Sequence, residues 1–222
     1  MSLTPPPPEK KAPPSNTLLS GIKELYLSGL YSDFTIVSWN RSFKVHKVVL
    51  HTQSSVFRAM LSGNFKEANQ NTLTLNHDDP GELAVMLHFF YHSSLPAPSA
   101  GTREADPEFM VCVYKMADKY DVPALCALAA STFSKLLKPI CDLSNIDSFC
   151  VALIAIDEFI TDDKFWDIAV PKIVDNMSWL ASNDKFCDLL QRMPKLNQKL
   201  LVSAAKVLEK AKAPKQQRSL FA

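Results

Sequence analysis

Two short stretches of this sequence alternate in hydrophobicity, while almost everything after them repeats its apolar residues at helical spacing. That change of period limits the chain to a small sheet set among helices. In DFTIVSWNRSFKV, Phe34 to Ser38 and Ser42 to Val45 read as a β-hairpin turned at Trp39-Asn40-Arg41, and TLTLN at 72–76 reads as a third strand. Ahead of the hairpin, Leu18, Ile22, Leu25 and Tyr26 mark a first helix that Gly29 stops. Two short helices are expected in KVVLHTQ and SSVFRAML, the second capped by Ser54 or Ser55. The expected fold class is α+β.

Beyond the third strand, Asp79 and Pro80 open a helix whose body, ELAVMLHFFY, is apolar nearly all round and is expected to sit centrally. Prolines and a glycine then break the pattern, so residues 92–106 are expected to form a surface loop. A helical pair follows, with one stripe of Phe109, Cys112, Val113, Met116 and Tyr120 and another of Leu125, Leu128, Thr132 and Leu136. Past Pro139 come three more stripes: Ile146 to Ile160, then Trp166, Val170, Ile173, Met177 and Leu180, then Leu196, Leu200, Ala204 and Val207. Trp166 and Trp179 are read as core residues on that spacing. The expected map is a disordered proline-rich 1–16, an α+β domain at 17–138, a helical extension at 139–211 and a basic tail at 212–222.

Composition narrows the chemistry. A hydrophobic fraction of 47% in 222 residues suffices for a packed core, and 24 basic against 23 acidic residues give no electrostatic drive toward nucleic acid. The cysteines at 112, 126, 141, 150 and 187 form no CxxC pair and leave one thiol over. A reducing, intracellular setting in cytoplasm or nucleus is therefore expected, with most thiols in the core. No apolar run approaches the roughly 18 residues of a membrane span, and the proline-rich start holds no signal core.

His46 and His51 lie five apart with Lys47 between them, which raises the question of a metal or proton-transfer site. A metal site needs three or four ligands and a catalytic histidine needs a positioned nucleophile or carboxylate; neither stands nearby. His46, His51, His88 and His92 are therefore read as structural. The pairs Asp78-Asp79 and Asp162-Asp163 stand where helices begin, and capping accounts for them. With no glycine-rich phosphate loop, GxSxG or HExxH, no catalytic residue, cofactor or metal ligand is expected, and the chain is read as not an enzyme.

Several motifs also fall in one order. They are Ser32-Asp33 before the first strand, Phe43-x-Val45-His46-Lys47-x-Val49-Leu50, Ser54-Ser55-x-Phe57-x-x-Met60, Phe65-Lys66-Glu67, Leu73-x-Leu75, Phe89-Phe90-Tyr91, and Ala117-Asp118-Lys119-Tyr120-Asp121-Val122. Residues 18 to about 138 thereby resemble a BTB/POZ domain. The resemblance implies a small three-stranded sheet with surrounding helices, followed here by the helical extension, and no Kelch, MATH or zinc-finger module accompanies it. The proline-rich loop stands where the family usually has a short strand after the FFY position.

The resemblance further implies a non-enzymatic protein-interaction module that forms a homodimer. Leu18, Ile22 and Leu25 of the first helix would lie in the interface, with Asp33 and Lys47 near a charged dimer pocket. The proline-rich start leaves no clear strand to exchange between copies. Phe65-Lys66-Glu67 matches the motif with which family members dock the N-terminal helices of a cullin ubiquitin-ligase scaffold. Phe65 either anchors that partner or folds back on the core with Glu67 solvated. The reading favoured by the resemblance is an adaptor or scaffold of a cullin-type ligase, with partners that are proteins rather than nucleic acid or membrane. The alternative is a self-association domain in a transcriptional or structural assembly without a ligase.

Overall fold

The alternation in FTIVS buries Phe34, Ile36 and Ser38 on one face of β1 (Phe34–Ser38), and Phe43 and Val45 line the same face of β2 (Arg41–Val45). The strands pair antiparallel from Phe34↔Val45 to Ser38↔Arg41. The turn is therefore Trp39-Asn40 alone, one residue shorter than expected, because Arg41 already belongs to the ladder. Such a two-residue turn requires left-handed backbone. Trp39 supplies it at φ 51° with 68% of its surface exposed. β3 (Thr72–Thr74) runs parallel to β1, giving the order β2-β1-β3, and stops short of the 72–76 expected. The computed structural model describes residues 17–62, 70–98, 103–137 and 146–212. The expectations for 1–16, for Phe65, Lys66 and Glu67, for Cys141 and for 213–222 fall outside them.

A parallel pair needs a crossover, and α2 (Lys47–Gln53) and α3 (Ser55–Ser62) occupy it. Ser54 sits at their junction. Its hydroxyl accepts from the Phe57 N–H at 3.1 Å, capping α3, and donates to the Tyr120 carbonyl at 2.5 Å. Ahead of the sheet, α1 (Thr17–Ser28) packs on α4 (Pro80–His92).

The two aspartates before α4 do different things. Asp79 is the expected cap, its Oδ1 accepting from the Gly81 and Glu82 N–H groups at 2.8 and 3.0 Å. Asp78 is not a cap. It is buried; Oδ1 accepts from Lys119 Nζ at 2.6 Å, Oδ2 accepts from the Tyr120 hydroxyl at 2.8 Å, and its carbonyl accepts from Ser38 Oγ at 2.7 Å. This one residue joins the sheet, the start of α4 and the end of α5 (Pro107–Lys119).

α5 shares the central place expected for α4. Phe109 to Tyr114, Met116 and Ala117 are all buried, since α4, α6 (Pro123–Leu136) and α7 (Ile146–Phe159) surround the helix. The 92–106 segment is less irregular than expected: His92 belongs to α4, and a 3₁₀ turn at Arg103–Ala105 lays Arg103 over the Phe109 ring at 4.5 Å. On α6 the buried face is Leu125, Cys126, Ala129, Ala130 and Phe133, whereas Leu128, Thr132 and Leu136 of the expected stripe are half-exposed. The small Ala129 and Ala130 face inward and let α6 lie close to its neighbour.

The C-terminal helices are α7, α8 (Lys164–Asp175), α9 (Met177–Leu180), α10 (Asp184–Arg192) and α11 (Pro194–Lys212). The stripe expected from Trp166 to Leu180 breaks at Asn176, and α10 was not anticipated. On α11, Leu196 and Leu200 are buried but Val207 is exposed, because the helix outruns the body it packs on. These helices join the domain through Phe165, whose ring meets Tyr114 and Phe133 edge-on with centroids 4.9 and 4.8 Å apart. Beside it, Lys164 Nζ donates to the Tyr114 hydroxyl at 3.0 Å, and that hydroxyl donates to Asp162 at 2.8 Å. Trp166 is buried and Trp179 is half-buried against the core.

Asp78→Ala strands the buried Tyr120 hydroxyl and removes the charged hydrogen bond to the half-exposed Lys119, and is expected to cost about 3 kcal/mol of stability. Asp79→Ala removes a helix cap and is expected to cost about 1 kcal/mol. Urea unfolding of the two variants measures the difference; equal losses would contradict the separate roles.

Candidate functional site

Between α1 and β1 the chain turns through left-handed backbone at Gly29 (φ 66°) and Tyr31 (φ 58°). That turn brings the Leu30 carbonyl to His46. His46 is buried at the β2-to-α2 corner, with Nε2 2.9 Å from the Leu30 oxygen and Nδ1 2.9 Å from the Tyr91 hydroxyl. Its backbone N–H donates to the same hydroxyl at 3.0 Å. A carbonyl can only accept, so the neutral ring carries its hydrogen on Nε2 and Nδ1 accepts from Tyr91. Both ring nitrogens are committed within the chain, which answers the question raised by the His46 and His51 spacing.

Tyr91 is also the seat of the first helix. Tyr26 of α1 stacks on it with centroids 4.5 Å apart and planes 18° apart. Burial pushes the Tyr91 phenol up to about 12, partly opposed by the hydrogen bond from His46. Tyr26 is raised as well, again by burial, with Arg41 opposing.

The structure brings Asp33 and Lys47 together through the backbone. Asp33 Oδ1 accepts from the Lys47 N–H at 2.8 Å, capping α2 from fourteen residues upstream where the His46 side chain makes no cap bond. The Lys47 ammonium turns instead to Asn71 Oδ1 at 3.3 Å and stands 5.3 Å from the centre of the Phe34 ring.

Of the α1 residues singled out from the sequence, Ile22 packs on the chain's own core, Leu25 is half-buried and Leu18 is exposed. Sequence reasoning passed over Leu27, Leu30, Tyr31 and Val48, which are 78%, 60%, 85% and 68% exposed. The signal was the surplus of leucine in TLLSGIKELYLSGLY, more than one buried stripe can use. Apolar side chains held open next to a polar corner suit contact with another protein surface. Phe65, Lys66 and Glu67 lie in the connection between α3 and β3, outside the described residues.

The remaining groups point away from covalent chemistry at the cysteines. Burial pushes the Cys112 thiol up to about 12 and the Cys126 thiol up to about 11, which disfavours the reactive thiolate. Cys150 and Cys187 are half-exposed rather than core residues, and these four described cysteines are free. Among the described residues, no three His, Cys, Asp or Glu side chains gather as a metal site would require, and no helix is long and apolar enough to cross a membrane.

With this geometry in place, comparison with known proteins is decisive. The family description "BTB/POZ domain" matches residues 22–136, just over half of the chain, from inside α1 to the end of α6. The chain belongs to the BTB/POZ family. The human Kelch repeat and BTB domain-containing protein 4 is 30% identical over 112 residues, covering 50% of this chain and 20% of that protein. Kelch-like protein 26 of Danio rerio is 40% identical over 81 residues, 36% of this chain and 13% of its own length. Kelch-like protein 25 of Xenopus tropicalis is 25% identical over 181 residues, 81% of this chain and 28% of that protein. A match of that length has to run past the BTB/POZ domain into the C-terminal helices. The chain spans about a fifth or less of the length of the first two relatives. Residues 22–136 are thereby a protein-interaction domain of that family.

Tyr91→Phe leaves the buried His46 N–H without an acceptor and is expected to cost about 1 to 3 kcal/mol. His51→Ala, on an exposed position, should stay within about 0.5 kcal/mol of the parent in urea unfolding. A pH series tests the raised thiols and phenols. The folded state holds Cys112, Cys126 and Tyr91 neutral, so their contribution is complete below their unfolded values near 8.5 and 10 and is lost as pH climbs through the folded ones. Stability should therefore fall between about pH 9 and 12, and less so in a Cys112→Ala, Cys126→Ala variant; a flat profile contradicts this.

Proposed function

We propose that the chain acts as an adaptor or scaffold of a cullin-type ubiquitin ligase, with residues 17–138 as its BTB/POZ domain and 139–211 as a helical extension that completes the partner contact. The observation that carries this reading is Phe65-Lys66-Glu67, a hydrophobic residue, any residue, then glutamate, in the α3–β3 connection of a BTB/POZ chain. The docking of α8 on α5 and α6 through Phe165 supports a fixed relation between domain and extension. Self-association through α1, with Leu18, Ile22 and Leu25 beside Asp33 and Lys47, belongs to the same proposal. The exposed Leu27, Leu30 and Tyr31 favour it, and they also support the second reading, a self-association domain without a ligase. The proposed setting is a reducing one, cytoplasm or nucleus.

Titration of the N-terminal domain of a cullin scaffold into the full chain by calorimetry tests the first reading. Phe65→Ala and Glu67→Lys should each weaken the complex, the former by about 2 kcal/mol or roughly thirtyfold, while thermal unfolding moves by only about half a kcal/mol. If Phe65 instead belongs to the core, its truncation costs about 3 to 5 kcal/mol of stability. Absence of binding by the parent chain at high concentration would sink the ligase reading. A dimer mass in light scattering, lost on Tyr31→Glu, would then leave self-association standing.

A further inference from the structure

A cleft lies far along the chain from the Phe65 motif, between α8 and α11. Its volume is about 670 Å³, and Ile160, Trp166, Val170 and Val202 are the apolar residues that line it beside Pro171. Its two rims carry opposite charge. Asp157 and Asp167 stand on the side of α7 and α8, and Lys195 and Lys206 stand on α11. None of these four side chains forms an ion pair with another described residue. Only Asp163 and Lys199 join across the cleft, at 2.5 Å. Because both are partly in water, that strap yields to a competing partner at little cost.

The backbone of α8 adds one feature to this lining. Pro171 lies within α8 on the lining, and a proline has no N–H to give the Asp167 carbonyl four residues before it. The cleft thus carries apolar residues flanked by side chains of opposite sign. It fits an amphipathic helix with an apolar stripe, basic residues along one flank and acidic residues along the other.

We infer that the α8–α11 groove is a docking site for an amphipathic helix of a partner protein whose two flanks carry opposite charge. The basic flank lies on Asp157 and Asp167, the acidic flank on Lys195 and Lys206, and the apolar stripe on Val202, Val170 and Ile160. This inference does not rest on the cullin reading, and loss of one leaves the other intact. A single-sign helix would set half of its charges against like charge, so the site selects for mixed flanks.

The test uses the full chain and three fluorescein-labelled helical peptides that share one leucine stripe. The first has lysine along one flank and glutamate along the other, the second lysine on both, the third glutamate on both. Fluorescence anisotropy should show the mixed peptide binding at least tenfold tighter than either control, with affinity falling as salt rises. Val202→Glu, on a half-exposed lining position, should abolish binding without changing the melting temperature. Asp157→Lys with Asp167→Lys makes both rims basic, and the preference should pass to the all-glutamate peptide. The inference is overturned if no peptide binds, if the three bind alike, or if rim inversion leaves the order unchanged. It is also overturned if the chain alone forms a concentration-dependent dimer that rim inversion disperses, since the occupant is then a second copy.

Discussion

The fold hangs on a carboxylate that ought not to be buried. Removing the Asp78 charge from water costs several kcal/mol, and one neighbouring cation seldom repays it. Here the Tyr120 hydroxyl and the Lys119 ammonium each take one oxygen, and Lys119 keeps about half of its own side chain in water. The charge is thus neutralised from the solvent side and hydrogen-bonded from the core side. What the arrangement secures is position. Ser38 reaches the Asp78 carbonyl, Ser54 reaches the Tyr120 carbonyl and caps α3, and the Phe57 ring lies on Tyr120 with centroids 4.8 Å apart. Strand, crossover helix, α4 and α5 are joined in one circuit around a single side chain.

A second knot does the same for the outer surface. His46 and Tyr91 hold the Leu30 carbonyl and the start of α2, and Tyr26 lies on Tyr91, so the seat of α1 and the Asp33–Lys47 corner are set by one pair of side chains. The exposed leucines and Tyr31 are therefore presented by a rigid frame, which keeps down the ordering cost of binding.

Local pattern was legible in the sequence and long-range pairing was not. The hairpin, the Ser54 cap and the Asp79 cap followed from residue type within a few positions. The role of Asp78 depends on Ser38 forty residues before it and Tyr120 well after it, and no local rule distinguishes it from the capping aspartate beside it. On α6 the periodicity was right and its phase was not, because alanines carry little hydrophobic signal yet mark the close approach of helices. DKFCDLLQR was passed over because Phe186 and Leu189 alone are buried among polar residues. Asp33 and Lys47 came from motif resemblance and do lie together, while the open face of α1 was missed because one stripe was drawn through a helix apolar on two sides.

These separate surfaces share the core beneath them, which runs without a break from Phe34 in the sheet to Leu200 in α11. A continuous core of this kind holds sheet and C-terminal helices in one fixed relation. The BTB/POZ domain and the helical extension should therefore unfold as one cooperative body. Scanning calorimetry of the full chain tests it directly. One transition, with equal calorimetric and van't Hoff enthalpies, is the expected result. Two resolved transitions, or a van't Hoff enthalpy well below the calorimetric one, would contradict it.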